Sequence, residues 1–334
     1  MYPPKTGAAT SCSRRAPRAV DCAQAACGPG EALGSTGTAL LIVNPAARHG
    51  ETRKLVPVIE KLLTSVEHDT VLTEHTGHAA DLARSAHGYE SVIAAGGDGT
   101  VHEVLNGLMS HPAESRPVLG VLPTGSGNDT RRTLGISDDL TRAALELKTG
   151  VRKAFDVGRC NGIYFNNSFA AGMDAKVTAK AVEYKVTKGR DGLWLYLTSL
   201  LHVLLHELSS FPMSISFDGG EAASYDTLII AVTNGPTYGG GFYITPQASP
   251  TDGLFDICMI DPLSLTGALV RLPFVVFGKH THMKPVHMSR HSSVVIECET
   301  LVPAQIDGEL LLERRYVVDM LPGAIQCIVP SESA

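Results

Sequence analysis

The stretch Ser91-Val92-Ile93-Ala94-Ala95-Gly96-Gly97-Asp98-Gly99-Thr100 joins an apolar run to a glycine-rich turn, and an amphipathic helix is predicted after it, over 100–109. A buried strand that ends in glycines at a helix start presents free amides and the positive end of the helix dipole, which suits a phosphate. Glycines let those amides approach the anion closely. Asp98 inside the turn would repel phosphate unless a divalent cation stood between them, so the loop points to a Mg²⁺-nucleotide. The spacing is neither that of a Walker loop nor G-x-G-x-x-G, and a plain turn is the alternative reading.

The pattern repeats on both sides. Upstream, Ala39-Leu-Leu-Ile-Val43 ends in Asn44-Pro45 and precedes a helix with apolar face Leu55, Val58, Ile59, Leu62 and Val66. A strand at 70–73, a helix at 79–86 and a strand at 118–122 continue the alternation, which implies a mostly parallel sheet. In such sheets ligands sit outside the carboxyl ends of the strands. Two further loops lie there. Leu122-Pro-Thr-Gly-Ser-Gly-Asn-Asp129 offers Thr124 and Ser126 as phosphate donors and Asn128 to fix the loop or a base edge. Asp129 in it reads either as a helix cap or as part of a metal-water network. Asn44-Pro45-Ala46-Ala47-Arg48 is placed to cover adenine or phosphate.

After Val151 the texture is strand-dominated, with a hairpin turn at Asn161-Gly162 and helices expected at 193–208 and 264–277. The 334 residues suit two domains. A composition of 44% hydrophobic and 19% charged residues excludes a disordered or fibrous chain, and no apolar run reaches the length of a membrane span. The net charge of −6 gives no basic footprint, so no nucleic-acid partner is expected. Seven scattered cysteines read as free thiols in a reducing, cytoplasmic setting, Cys160, Cys258, Cys298 and Cys327 as buried hydrophobes. Residues 1–37 read as a disordered tail; its Cys12, Cys22 and Cys27 lack the partners of a metal cluster. His202 and His206 read as a polar stripe. His280, His282, His287 and His291 read as a solvated loop, or with Lys279, Lys284 and Arg290 as a membrane-facing patch.

Asn44-Pro45, Gly96 to Thr100 with Glu103 and Asn106, Pro123 to Asp129 and Phe155-Asp156-Val-Gly158 resemble the catalytic domain of diacylglycerol kinases and their bacterial lipid-kinase relatives. Asn234 to Gly241, Pro246 to Asp256 and Ile306-Asp-Gly-Glu309 follow in the family's order, so the resemblance covers nearly everything from residue 38. It implies an α/β fold: a Rossmann-like parallel-sheet nucleotide-binding domain over 38–155 and a β-rich, sandwich-like domain over 156–310 holding lipid and metal sites. Residues 311–334 form a C-terminal segment that could return to the first domain.

The resemblance also implies roles. ATP would be bound through Asn44, Pro45, Ala46, Ala47 and Arg48, through Thr73, through Gly96, Gly97, Asp98, Gly99, Thr100, Val101, His102 and Glu103, and through Gly125, Ser126 and Asn128. Asp98, Asp129 and Asp156 would surround Mg²⁺ and the phosphates, and a structural Mg²⁺ would sit on Ser249, Asp252 and the Leu254 carbonyl. Glu309 would be the general base, with Asp98 also catalytic. Without the resemblance Glu309 reads as a solvated hairpin acid and Asp252 as a turn residue. Relatives often carry glycine where this chain has Arg48. The implied activity is ATP- and Mg²⁺-dependent phosphorylation of a lipid hydroxyl, most simply diacylglycerol to phosphatidic acid, at a membrane met peripherally and reversibly. A sphingoid-base kinase, a kinase of a soluble acceptor similar to NAD kinases, and a non-enzymatic nucleotide-binding regulator are the alternatives. The oligomeric state is open, a homodimer being one option.

Overall fold

A computed structural model describes residues 37–188 and 192–331; the tail with Cys12, Cys22 and Cys27 lies outside them. The first half is the expected alternation: β1 (Ala39–Val43), α1 (Thr52–Leu62), β2 (His68–Leu72), α2 (His78–Arg84), β3 (Ser91–Gly96), α3 (Asp98–Leu108), β4 (Val118–Pro123), α4 (Asp129–Leu134) and α5 (Leu140–Thr149). All four strands are parallel in the order β4-β3-β1-β2. Every residue of β1, β3 and β4 is buried, as strands covered on both faces must be. The chain steps from β1 to β2 on one side and returns to β3 on the other. The topological switch point therefore lies between β1 and β3, and a ligand crevice is expected outside their carboxyl ends.

The second half is β-rich, as expected. β5 (Val151–Cys160), β6 (Ile163–Phe165) and β7 (Ser168–Gly172) come first, followed by the helices α6 (Met173–Lys188) and α7 (Gly192–His206). β8 (Phe211–Phe217), β9 (Ala223–Thr227), β10 (Ile229–Thr233) and β11 (Phe255–Ile260) lead to α8 (Leu265–Val276). β12 (Val286–His291), β13 (Ser293–Ile306) and β14 (Glu309–Val329) end the fold. The boundaries expected at 155/156 and 310/311 fall inside β5 and β14. β14 pairs with β13 and β5 antiparallel and meets β4 in parallel at Cys327, so one sheet runs through both halves. Ile325, Cys327, Ile328 and Val329 pack in the first core with Ile93 and Leu119, while Tyr316 and Val318 pack in the second with Phe165, Phe169 and Phe255.

Three sequence readings are corrected here. α6 carries a weak helix signal in sequence because Val177, Thr178, Val182, Val186 and Thr187 are β-branched, and the exposed Val182 and Val186 blur the buried stripe of Met173, Val177, Ala181 and Tyr184. The short helix α5 is likewise additional, while α4 is the helix that follows the Asp129 loop. The histidine-rich segment ends not as a solvated loop but as strand β12: His280 is fully buried with Nε2 3.1 Å from the Ile244 carbonyl, His287 pairs with Asp261, and His291 meets Asp218 and stacks on Phe217. Cys160, Cys258 and Cys327 are buried, and burial pushes each thiol up to about 12.

Gly158 on β5 lies under the Phe165 ring, whose nearest atom would stand 2.1 Å from a Cβ at that position. Gly158→Ala is expected to lower unfolding stability by about 1–3 kcal/mol through overpacking, measurable as a drop in the denaturant midpoint at unchanged m-value.

Candidate active site

The crevice expected at the switch point is present as a polar cleft of about 1290 Å³. Its floor is made by three strand ends. After β1, the Asn44 side chain accepts from the Ala46 amide and donates to Thr100 Oγ1 at 3.1 Å, which ties the first loop to α3. After β3, Gly97 caps α3, whose first-turn residues Asp98, Gly99 and Thr100 line the cleft. After β4, the amides of Thr124 and Gly125 donate to the Gly96 carbonyl at 3.0 and 3.1 Å. The two glycine loops are in backbone contact: a Cβ on Gly125 would stand 2.3 Å from Gly97 Cα, so only glycine permits the approach. Both glycine loops and the positive end of α3 converge on one space.

Most residues expected at the nucleotide meet here. Asn44, Ala46, Ala47, Arg48, Gly97, Asp98, Gly99, Thr100, Glu103, Gly125 and Ser126 line the cleft, and Thr73 lines its continuation beside Glu103. Five expected residues do not face it. Pro45 only turns the chain, Gly96 is the packed strand end beneath Thr100, and Val101 is buried in the first core. Asn128, left-handed at φ 53°, closes its loop by donating to the Gly125 carbonyl, and His102 binds Asp307. Glu103 lines the cleft but is spent on structure, accepting the Gly77 and Ala79 amides at the start of α2. The Arg48 position explains the glycine of relatives: its φ is +53°, and its side chain pairs with Glu51.

The opposite wall comes from the second half. Asp307 and Gly308 form the two-residue turn between β13 and β14 and present Glu309 to the cleft. Asp307 is itself a keystone: Oδ1 accepts the Asn167 and Ser168 amides, Oδ2 accepts the Asn166 amide, and His102 Nδ1 stands 3.3 Å away. Burial opposes protonation of His102, yet Asp307, with Glu309 and Glu103 behind it, raises its pKa overall. Thr178 and Lys185 of α6 and Tyr196 of α7 complete this wall.

The three expected acids separate in role. Asp98 Oδ1 accepts the Thr130 amide at 2.9 Å while Oδ2 lies toward Gly127, in the cleft. Asp129 is buried, its oxygens meeting Arg132, Thr237 and the Gly240 amide; burial and then the Asp98 charge push it up to about 6. Asp156 is not in the acid network. It lies in the middle of β5, where its carboxylate accepts the Gly253 and Gly323 amides, both at 2.7 Å.

The expected metal residues Ser249, Asp252 and Leu254 share one loop, but both oxygens of Asp252, the one carboxylate among them, already meet N–H donors. Asp252 Oδ1 accepts the Leu254 amide, Oδ2 pairs with Arg290, and Ser249 Oγ stands 3.3 Å from Thr251 Oγ1. Among the described residues no group of three or more His, Cys, Asp or Glu could hold a metal ion. These residues do not fit a resident divalent ion.

A second cavity lies against the apolar helix expected at 193–208, the flank on which the sequence suggests a lipid cleft. An apolar chamber of about 890 Å³ lies among α6, α7, α8 and β10, lined by Val177, Leu200, Leu204, Leu272 and Val275 among others. Between it and the cleft lies a smaller cavity, the neck, which shares Asp98, Tyr196 and Asp307 with the cleft and Asp174, Tyr196 and Tyr238 with the chamber. Asp174 is buried at the neck, accepts from Gln305 Nε2 at 3.2 Å, and is pushed up to about 6 by burial. The Tyr238 hydroxyl is buried beside it without a hydrogen bond of good geometry. An acid this close to the apolar run Ser168-Phe-Ala-Ala-Gly172 was the available sequence signal.

Raised acid pKa values fix a pH dependence. Between about 4 and about 6 the folded chain holds protons on Asp174 and Asp129 that the unfolded chain has lost, so this contribution to stability falls as pH rises through that window. Asp174→Asn is therefore expected to gain stability relative to wild type as pH rises from about 4 to about 7, by roughly 1–3 kcal/mol. Urea titrations across that range would show it, and a variant curve parallel to wild type would contradict it.

Residues 38–160 match the family described as diacylglycerol kinase catalytic domain, and residues 167–329 match the YegS C-terminal NAD kinase beta sandwich-like domain. The chain is 30% identical over 308 residues to a diacylglycerol kinase of Bacillus subtilis, covering 89% of this chain and 97% of that one. It is 29% identical over 307 residues to a diacylglycerol kinase of Mycobacterium tuberculosis, covering 88% and 96%. Two solved structures share the fold. One is a diacylglycerol kinase from Bacillus anthracis (TM-score 0.70, 24% identity, 89% of this chain and 98% of that one). The other is an NAD kinase from Archaeoglobus fulgidus in complex with ATP (TM-score 0.51, 13% identity, 88% and 94%).

Proposed function

This chain belongs to the diacylglycerol kinase family of lipid kinases, and from that premise we propose that it transfers the γ-phosphate of Mg²⁺-bound ATP to the free hydroxyl of a diacylglycerol. The observation that carries the reading is the joining of two unlike cavities: a polar cleft floored by glycine loops and an apolar chamber, meeting at Asp174, Tyr196 and Tyr238. A soluble acceptor would have no use for the chamber.

Phosphoryl transfer needs positioning and charge neutralisation more than covalent help. The amides of Gly97 to Gly99, with Arg48 and Lys185 at the walls, would hold the phosphates. Asp98, with one oxygen toward the cleft, is the acid that would hold the nucleotide's Mg²⁺ directly or through water. Acyl chains would fill the chamber, and the headgroup would pass the neck, where the buried Tyr238 hydroxyl has no hydrogen bond of good geometry. Glu309 would accept the hydroxyl proton as the oxygen attacks phosphorus. Asp174 also favours a second reading, a cationic sphingoid base paired with that carboxylate.

Access to a lipid fits the outer surface of the same helices. Leu193, Trp194, Leu201 and Leu205 of α7 and Val270 and Phe274 of α8 are exposed next to the chamber residues Leu200, Leu204 and Leu272. Among the described residues no helix is long and apolar enough to cross a membrane. Peripheral, reversible contact through this face would deliver the acceptor.

The test is transfer from γ-labelled ATP with diacylglycerol, sphingosine and NAD offered in parallel in mixed micelles. Label in phosphatidic acid is expected; label in sphingosine alone selects the second reading, and label in NADP or nowhere rejects the lipid assignment. Glu309→Gln is expected to lower kcat by about 10²–10⁴ with ATP binding retained, and Asp98→Asn to lower it at least about tenfold. Unchanged turnover in either variant would remove that residue from the chemistry.

A further inference from the structure

The loop 249–254 is anchored away from the cleft. The Asp156 amide donates to the Pro250 carbonyl at 2.8 Å, and the Asp156 carboxylate accepts the Gly253 amide at 2.7 Å. What remains on the loop's outer side is a problem of charge. Asp252 closes the loop, and Asp256 follows it on β11, buried at 5% exposure. Two neighbouring carboxylates, one of them buried, repel one another and lose hydration; such a pair needs a cation.

The cation is supplied by the sheet. Arg290 on β12 is the direct antiparallel partner of Asp256 on β11, so the backbone register itself places the arginine across from the buried acid. Its Nη2 pairs with Asp252 Oδ2, and its Nε lies 3.6 Å from Asp256 Oδ2, an oxygen with no hydrogen bond of its own. One planar guanidinium, with donors spread along a fork, thus serves two carboxylates at once. Burial raises the Asp256 pKa, Asp252 adds to that, and Arg290 opposes it.

A resident Mg²⁺ would need these same oxygens. It takes six oxygen ligands at about 2.0–2.1 Å, whereas Asp252 meets an N–H donor on each oxygen. We propose that Arg290 is the built-in cation of the 249–256 segment, holding in this chain the place that a structural divalent ion would hold. The loop is then ordered without metal, and any divalent requirement of the enzyme belongs to the nucleotide alone. This does not depend on which acceptor is phosphorylated.

The experiment is thermal unfolding of the full chain without nucleotide, in EDTA and in excess Mg²⁺. Wild type is expected to unfold at the same temperature in both, and so is Arg290→Lys, which keeps the charge. Arg290→Gln is expected to lose roughly 3 °C or more in EDTA and to regain most of it in Mg²⁺, because a divalent ion can enter once the guanidinium is gone. Three outcomes overturn the proposal: a wild-type loss in EDTA that Asp252→Asn abolishes; an Arg290→Gln protein that matches wild type in both buffers; or a loss that Mg²⁺ does not restore. If Arg290→Gln does not fold, Mg²⁺ titration calorimetry decides between wild type and Asp252→Asn. Heat that depends on Asp252 refutes the proposal, and equal traces support it.

Discussion

The structure depends on one strand with two duties. β14 begins at Glu309, on the wall of the polar cleft, and runs to Val329 in the core of the first half. Its early residues pair with β13 and its later ones with β5, and Cys327 reaches β4. A carboxylate at the start of a strand whose far end is buried among Ile93 and Leu119 cannot drift relative to the glycine loops that follow β3 and β4. The backbone ladder therefore sets the distance between proposed base and proposed phosphate site, which a flexible linker between two halves would not.

Local polar contacts refine that placement. Asp307 accepts three successive amides, from Asn166 to Ser168, and reaches across to His102 on α3, the helix that starts with Asp98. The turn that carries Glu309 and the helix that carries Asp98 are thereby fastened to each other through a largely buried pair. Charge-assisted bonds of this kind are strong because their surroundings hold little water to compete for them.

The two cavities differ in the physics they offer. The cleft is built of backbone amides and small residues, which favour an anion and exclude bulk. The chamber is built of leucine, valine and aromatic side chains from helices laid over the sheet, which favour hydrocarbon. Their meeting point holds Asp174 and Asp129, acids that burial keeps near 6. A buried acid at such a value accepts or donates a hydrogen bond at modest energetic cost.

The strand-helix alternation, the parallel sheet, the glycine loops and the turn before Glu309 were legible in the amino-acid order because each is local: an apolar run, a glycine pair or an Asp-Gly turn acts within a few residues. The same locality made Asn44, Asp98 and Gly125 readable as neighbours at strand ends once the strands were known to be parallel, whereas Glu309 joined them only through the family resemblance. Asp156, His102 and the histidine-rich segment were misplaced because their partners, Gly323, Asp307, Asp261 and Ile244, are far away in sequence. α6 stayed hidden because its β-branched residues favour strands and its exposed Val182 and Val186 blur the apolar stripe. The apolar chamber, its neck at Asp174 and Tyr238, and the bridge from Arg290 to Asp252 and Asp256 were decided only by tertiary structure. Each is made by elements that meet through the long-range pairing of the sheet, and the register of β11 with β12 is not written in either strand alone.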